Sequence, residues 1–150
     1  MEQLSEIKEN PATTPNARAY SLAIQCWGRS RYPLKAKQVL KILRLMQTEH
    51  KKTGNDDVRQ TILSYNTAID ACARCQGKLE HQTKAIKIAF AVLKVSKGDP
   101  YAKPNHTTYA TLLNAVAFLL PAGKERNQVA SAVFEKATMA ALWSLPLSRT

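Results

Sequence analysis

The stretch ILSYNTAIDACARC, residues 62–75, decides the fold, because two other stretches of the chain align with it without gaps. They are ARAYSLAIQCWGRS at 17–30 and HTTYATLLNAVAFL at 106–119. Each contains one tyrosine at the same register, and these are Tyr20, Tyr65 and Tyr109. Apolar or small residues follow each tyrosine at the spacing of an amphipathic helix. Self-similarity at a period of 44–45 residues predicts a helical solenoid.

A second segment with helical periodicity follows each of these stretches, with apolar residues at i, i+3, i+4 and i+7. The three apolar stripes are Ala36, Val39, Leu40, Leu43 and Met46; Ala85, Ile88, Ala89, Val92 and Leu93; and Val129, Val133, Phe134, Ala137 and Ala141. The sequence therefore predicts six helices in three hairpins, at 17–30 with 33–52, 62–76 with 79–97, and 106–120 with 124–142.

The repeats define the domain organisation. We expect a flexible acidic N-terminus over residues 1–14, a repeat domain over 15–142, and a C-terminal tail over 143–150. The three units of the repeat domain are 17–61, 62–105 and 106–142. One hairpin cannot bury its apolar face alone, whereas three stacked hairpins bury a continuous layer.

The net charge of the chain is strongly positive. Lys and Arg number 22 against 11 Asp and Glu, which gives a net charge of +11. A basic folded body attracts polyanions, and nucleic acid is the leading candidate. A solvated basic surface or the acidic patch of a protein partner are the alternatives. No apolar run approaches the ~18 residues of a membrane span, and three cysteines cannot form a fully paired disulfide framework.

The repeats resemble the pentatricopeptide repeat family. Unit two is the closest match, with Ser64-Tyr65-Asn66-Thr67-Ala68-Ile69-Asp70-Ala71 in its first helix. The linkers that precede two of the units also match, at Pro15-Asn16 and Pro104-Asn105. The resemblance covers residues 15–142. The units are longer than is typical of the family and are similar to those of algal and protist members.

The resemblance implies an all-α, right-handed superhelical solenoid that binds single-stranded RNA, about one nucleotide per repeat. It implies that base choice depends on the residue after each tyrosine and on the last residue of each repeat. These positions are Ser21, Asn66 and Ala110, and Thr61 and Asn105, respectively. Asn66 with Asn105 resembles a pair that reads a pyrimidine, with cytosine favoured. Ser21 with Thr61 resembles purine-leaning pairs, and Ala110 has no side chain that can form hydrogen bonds.

The resemblance also implies positions that contact the base surface and the phosphates. The base-packing position falls on Arg18, Leu63 and Thr107, and the alternative for Leu63 is packing in the core. The phosphate position falls on Arg29 and Arg74, and Phe118 occupies it in unit three. The alternative for the two arginines is a solvated helix end, where cations suit the helix dipole.

Other chemistries find little support in the sequence. Cys72 and Cys75 form a lone CxxC inside a predicted helix, without the second ligand pair that a structural zinc site needs. No Gly-rich phosphate loop and no acidic cluster for phosphodiester chemistry is found. We therefore expect no enzyme activity, no metal and no cofactor. The run that contains Lys35, Lys37 and Lys41 is predicted to be a solvated face of the second helix.

The resulting function hypothesis is a non-catalytic protein that binds single-stranded RNA, with other proteins or further repeats as possible additional partners. The alternative is a solenoid that binds proteins and reads no RNA. We expect no membrane association and no small-molecule substrate. The resemblance implies a mitochondrial or plastid role in RNA processing, stability or translation. The start MEQLSEIKEN is acidic, unlike a transit peptide, so a cytoplasmic location is the alternative.

Overall fold

The computed structural model describes the backbone of residues 15–143 and the side chains up to residue 139. Its six α-helices are α1 Ala17–Arg29, α2 Lys35–Thr53, α3 Ile62–Ala73, α4 Leu79–Gly98, α5 His106–Leu119 and α6 Lys124–Trp143. A short 3-10 helix, Asp56–Val58, lies between α2 and α3. No strand is found in residues 15–143, so the all-α prediction is confirmed there. The expected N-terminus 1–14 lies outside the described residues, and so does the tail from residue 144 onward.

The helices pack in two rows. Helices α1, α3 and α5, here called the inner row, contact one another in order. Helices α2 and α4 also contact each other, and each also packs against the inner row, while α6 packs against α5. Helices α1 and α3 run in the same direction, because Ser21 contacts Ser64 near their starts and Gly28 meets Ala71 near their ends. This packing is compatible with a helical repeat fold.

Each inner helix begins at a polar residue whose side chain caps it. Asn16, Thr61 and Asn105 accept hydrogen bonds from the backbone N–H three residues ahead, at 3.0, 3.2 and 3.0 Å. Such caps satisfy N–H groups that have no partner within the helix. The caps therefore place all three inner helices in the same register relative to their repeat tyrosines.

The core is built from the predicted apolar stripes. Those of α2 and α4 are buried apart from Leu40, which packs partly buried against the core. Tyr65, only 1% exposed, is the best buried of the repeat tyrosines. Its hydroxyl lies 2.9 Å from Asp99 Oδ2 and 3.0 Å from Gln60 Oε1 and shares its one proton between them. This connects α3 to the loop that precedes it and to the loop that follows α4.

Helix α1 approaches α3 most closely at Gly28. A Cβ atom on this glycine would lie 3.0 Å from the Cβ of Ala71 and 3.1 Å from its Cα. Ordinary carbon contacts are about 3.5–4.0 Å. The two helices therefore reach their observed spacing because position 28 carries no side chain.

The prediction that Lys35 is solvated is wrong. Lys35 is only 4% exposed. Its ammonium donates hydrogen bonds to the carbonyl oxygens of Gly28, at 2.9 Å, and Ser30, at 3.1 Å. These carbonyls end α1, where partial negative charge accumulates. The side chain therefore turns back from the start of α2 to cap the preceding helix, whereas Lys37 and Lys41 are exposed as predicted.

Two further expectations need correction. Phe134 was placed in the apolar stripe of α6 but is 62% exposed, because α6 packs chiefly on α5 and its buried contact is made by Val133. Cys75 was placed inside a helix, but α3 ends at Ala73, and Cys75 is buried in the turn that follows. The side chain of Ala141 lies outside the described set.

None of the helices over residues 15–143 combines the length and hydropathy that a membrane span requires.

Candidate nucleic-acid interface

The most distinctive polar contact of the inner row joins units two and three. Asn66 on α3, Asn105 at the cap of α5 and Thr108 in its first turn form this cluster, here called the second polar junction. The hydroxyl of Thr108 lies 2.6 Å from Asn66 Oδ1 and 3.0 Å from Asn105 Oδ1 and donates its one proton between them. Asn66 Nδ2 lies 3.4 Å from Asn105 Oδ1. The predicted convergence of Asn66 and Asn105 is therefore observed.

The second polar junction fixes the two amides but does not use all of their hydrogen-bonding capacity. Asn105 Oδ1 already accepts the backbone N–H of Thr108 at 3.0 Å, so the cap itself sets the orientation of this amide. Among the described residues, the Nδ2 group of Asn105 donates to no acceptor, and only one N–H of Asn66 Nδ2 is engaged. Both residues are half-buried. The junction therefore presents oriented amide donors to solvent.

The same arrangement recurs between units one and two, with hydroxyls in place of amides. Ser21, Ser64 and Thr61 form this first polar junction. Ser64 Oγ lies 3.3 Å from Ser21 Oγ and 3.1 Å from Thr61 Oγ1. Ser21 is buried and Thr61 is exposed. The Ser21 hydroxyl is therefore less accessible than the side chain of Asn66, which has the equivalent position in the second junction.

Unit three has no such cluster in the described part of the chain. Its equivalent of Ser21 and Asn66 is Ala110, which is exposed. An alanine methyl group forms no hydrogen bond, so this position cannot contribute polar recognition.

The residues expected to contact a base surface lie beside the junctions. Arg18, Leu63 and Thr107 stand at equivalent positions in the first turns of the inner helices, and all three are exposed. Leu63 is 64% exposed, so the alternative that it packs in the core is wrong. Exposed leucine at this place adds apolar surface next to the Asn66 amide, three residues further along the same helix.

The opposite ends of α1 and α3 border an open depression of about 720 Å³. Arg29, Arg31 and Arg74 line it, and Phe118 of α5, 71% exposed, completes one side. Arg74 Nε donates to Asp70 Oδ2 at 3.0 Å, which compensates part of its charge. Arg29 forms no ion pair with another described residue. The depression therefore attracts anions mainly through Arg29 and Arg31, with Arg74 held in place by Asp70.

Lys35 and Cys75 also line this depression, and Cys72 is buried beside them. Burial lowers the pKa of Lys35, raises the pKa of Cys72 to about 12 and raises the pKa of Cys75. Because the thiolate is the reactive form, both thiols are poor nucleophiles near neutral pH. Residues 15–139 contain no cluster of three or more His, Cys, Asp or Glu side chains that could hold a metal ion.

Sequence reasoning missed Ser64 and Thr108, the residues that connect the two sides of each junction. A signal for them was present. Each stands three residues after a capping residue, in Thr61-x-x-Ser64 and Asn105-x-x-Thr108, and in both cases the side chain bonds back to the backbone N–H of the cap. This is the spacing of a capping box with a hydroxyl in its third position.

Comparison with known protein families finds no matching family model, and neither the curated proteins nor the solved structures yield a match. The function is therefore argued from the polar junctions and the charges beside them.

Proposed function

We propose that this chain is a non-catalytic, single-stranded RNA-binding array of pentatricopeptide type, with its hairpins wound into a right-handed superhelical solenoid. The observation that supports it best is the second polar junction, where Asn66 and Asn105 of successive units meet. Both amide oxygens accept hydrogen bonds within the junction, so the unused N–H donors of the two amides lie side by side. Adjacent donors suit the acceptors on the Watson–Crick edge of an unpaired base.

One base is read at each polar junction. At the second, the amides of Asn66 and Asn105 hydrogen-bond a pyrimidine, with cytosine favoured, while Leu63 supports its flat face. The first junction leans towards purines and reads more weakly, because Ser21 is buried. Ala110 reads no base.

The phosphates of the RNA are contacted at the other end of the inner helices. Arg29 and Arg74 lie eight residues beyond Ser21 and Asn66, respectively, which is about 12 Å along a helix. Phosphate contacts position the strand but carry no base identity. Since each stacked base contributes only about 1–3 kcal/mol, two junctions support weak binding, and further repeats or other proteins would complete a tight complex. The family resemblance extends the proposal to transcript processing, stability or translation in mitochondria or plastids, with the cytoplasm as the alternative.

The base-reading part is tested by titrating short single-stranded RNAs, varied at one position, against three variants. Asn66→Ala removes the amide and should lower affinity for the preferred pyrimidine by about 1–3 kcal/mol, with a smaller effect on the other bases. Asn66→Ser copies the residue of unit one and should move the preference towards purines. Asn127→Ala, an exposed asparagine on α6, is the matched control and should change nothing.

The phosphate part is tested by salt dependence. Arg29→Ala should weaken binding to all sequences alike and make the log–log salt slope shallower by about 0.7. Duplex RNA should bind more weakly than single strands. If Asn66→Ala weakens every sequence equally while circular dichroism shows an intact fold, the base-reading assignment is wrong.

Unit three favours a second function, the binding of a protein. Ala110 offers no polar recognition, and Phe118 exposes a large apolar side chain where the other units have arginine. Aromatic side chains are enriched at protein interfaces. If Phe118→Ala leaves RNA affinity unchanged but abolishes binding to a protein partner, unit three is assigned to protein binding.

A further inference from the structure

A groove runs between α2 and α4, on helices that contribute nothing to the polar junctions. Its volume is about 710 Å³. Aliphatic side chains form its floor, and these are Leu40, Leu45, Ile88 and Ala91. Ile88 is buried, the two leucines are half-buried and Ala91 is exposed. The groove therefore keeps apolar surface in contact with water, which is unfavourable unless another surface covers it.

Five cations border this floor on both sides. They are Lys37, Lys41 and Arg44 on α2, and Lys84 and Lys87 on α4. All five are exposed, and no acidic residue lines the groove itself. Glu80, in the first turn of α4, is close enough to act on Lys84.

The cations of the two helices are close enough to affect each other. Contact with Lys37 and then its charge lower the pKa of Lys84, and Glu80 opposes this only weakly. Binding an anionic ligand between α2 and α4 would relieve this repulsion. The positive potential is thus concentrated across the groove, where it favours a ligand that carries negative charge along both of its edges.

A cationic rim attracts both RNA and acidic protein segments, and the aliphatic floor distinguishes between these two ligands. An unpaired RNA base is recognised by hydrogen bonds to its edge, and Thr48 is the only uncharged polar side chain among the described residues that line the groove. Aliphatic floors instead accept the apolar stripe of an amphipathic helix, with residues at i, i+3, i+4 and i+7 as anchors.

We propose that the groove between α2 and α4 binds an acidic amphipathic helix of a partner protein. The leucine-type stripe of that helix lies on Leu40, Leu45 and Ile88, and its flanking carboxylates pair with the lysines of α2 on one side and of α4 on the other. From Lys37 to Arg44 the rim extends seven residues, about 10 Å, so the contact involves about two turns of the partner. This proposal does not depend on RNA binding, because different helices form the two surfaces.

The test uses the full chain and a fluorescein-labelled helical peptide of about 14 residues, four turns. The peptide carries leucines at heptad spacing and glutamates on its flanks. A scrambled peptide of the same composition keeps the charge and loses the apolar stripe. We expect fluorescence anisotropy to show at least about tenfold weaker binding of the scrambled peptide.

Two matched double variants reverse the same number of charges, one pair inside the groove and one pair outside it. Lys41→Glu/Lys87→Glu reverses two groove cations and should weaken the striped peptide by about tenfold or more. Lys51→Glu/Lys94→Glu reverses two exposed cations of the same helices outside the groove and should change affinity less than about twofold. Ala91→Glu places a carboxylate on the floor and should abolish binding. Circular dichroism checks that every variant is folded.

Four results would overturn the proposal. Equal binding of the scrambled peptide and of the peptide with the leucine stripe would show that the groove attracts peptides by non-specific charge alone. A loss of RNA affinity in Lys41→Glu/Lys87→Glu that exceeds its loss of peptide affinity would assign the groove to RNA. A dimer that this variant dissociates in sedimentation equilibrium would assign it to a second copy. Zero-length cross-links from the groove lysines to Glu2, Glu6 or Glu9 within one monomer would assign it to the chain's own N-terminal segment.

Discussion

Replacing Gly28 by alanine puts a methyl group into the closest approach of α1 to α3. Its Cβ would lie 3.0 Å from Ala71 Cβ and 3.1 Å from Ala71 Cα, and the second of these atoms is backbone, which cannot rotate away. Overpacking of this kind costs about 1–3 kcal/mol. The better helix propensity of alanine offsets about 0.5 kcal/mol of it, so a single variant does not isolate the contact.

Gly98 supplies the control that separates the two effects. It is also helical, and a Cβ there would meet no atom within 4 Å, so Gly98→Ala should raise the free energy of unfolding by about 0.5 kcal/mol. We expect Gly28→Ala to lie about 1–3 kcal/mol below Gly98→Ala in urea denaturation followed by circular dichroism. Adding Ala71→Gly to Gly28→Ala should restore part of this loss, as a coupling of about 1 kcal/mol in the double-mutant cycle. Equal stability of the two alanine variants, with an additive cycle, would refute the close contact.

Two further variants address the buried polar groups. Tyr65→Phe should lower the free energy of unfolding by about 1–2 kcal/mol, because it removes the bonds to Asp99 and Gln60, whereas Tyr101→Phe at an exposed ring should have no effect in the same urea titration. Lys35→Met should change the pH dependence of stability. Burial lowers the pKa of Lys35 below its unfolded value of 10.5, so the unfolded chain binds more protons between the two values. Stability of the wild type therefore rises with pH towards 10.5, and this contribution is absent from Lys35→Met. Parallel pH profiles of the two proteins would contradict it.

Local patterns in the sequence predicted the helices well, because the spacing of Ala36 to Met46 or of Ala85 to Leu93 reports directly on which face is buried. The end of α3 was missed because the same periodicity continues to Cys75, while the chain turns after Ala73. Phe134 fits the stripe of α6 equally well, and only the lack of a further element packed over it in the described chain leaves it exposed.

Contacts between units were harder to predict. The meeting of Asn66 with Asn105 was expected from the family resemblance, but the bridging role of Thr108 depends on a distance across two helices that no local pattern contains. Lys35 shows the same limit. Its position in the first turn of α2 suggests solvent, and only the nearby end of α1 offers carbonyls that accept its hydrogen bonds and offset part of the cost of burying the ammonium.

The second polar junction places two demands on one side chain. Asn105 starts α5 by accepting the N–H of Thr108, and under the proposed function the same amide faces the base. Only Asn, Asp, Ser, Thr and Gly start helices well, and of these glycine has nothing with which to contact a base. Only four residue types, Asn, Asp, Ser and Thr, are therefore available for changing base preference at this position. Any mutation beyond them would alter target choice and loosen the next repeat at once, so new specificities in such an array should evolve more readily through the Asn66 position than through the cap.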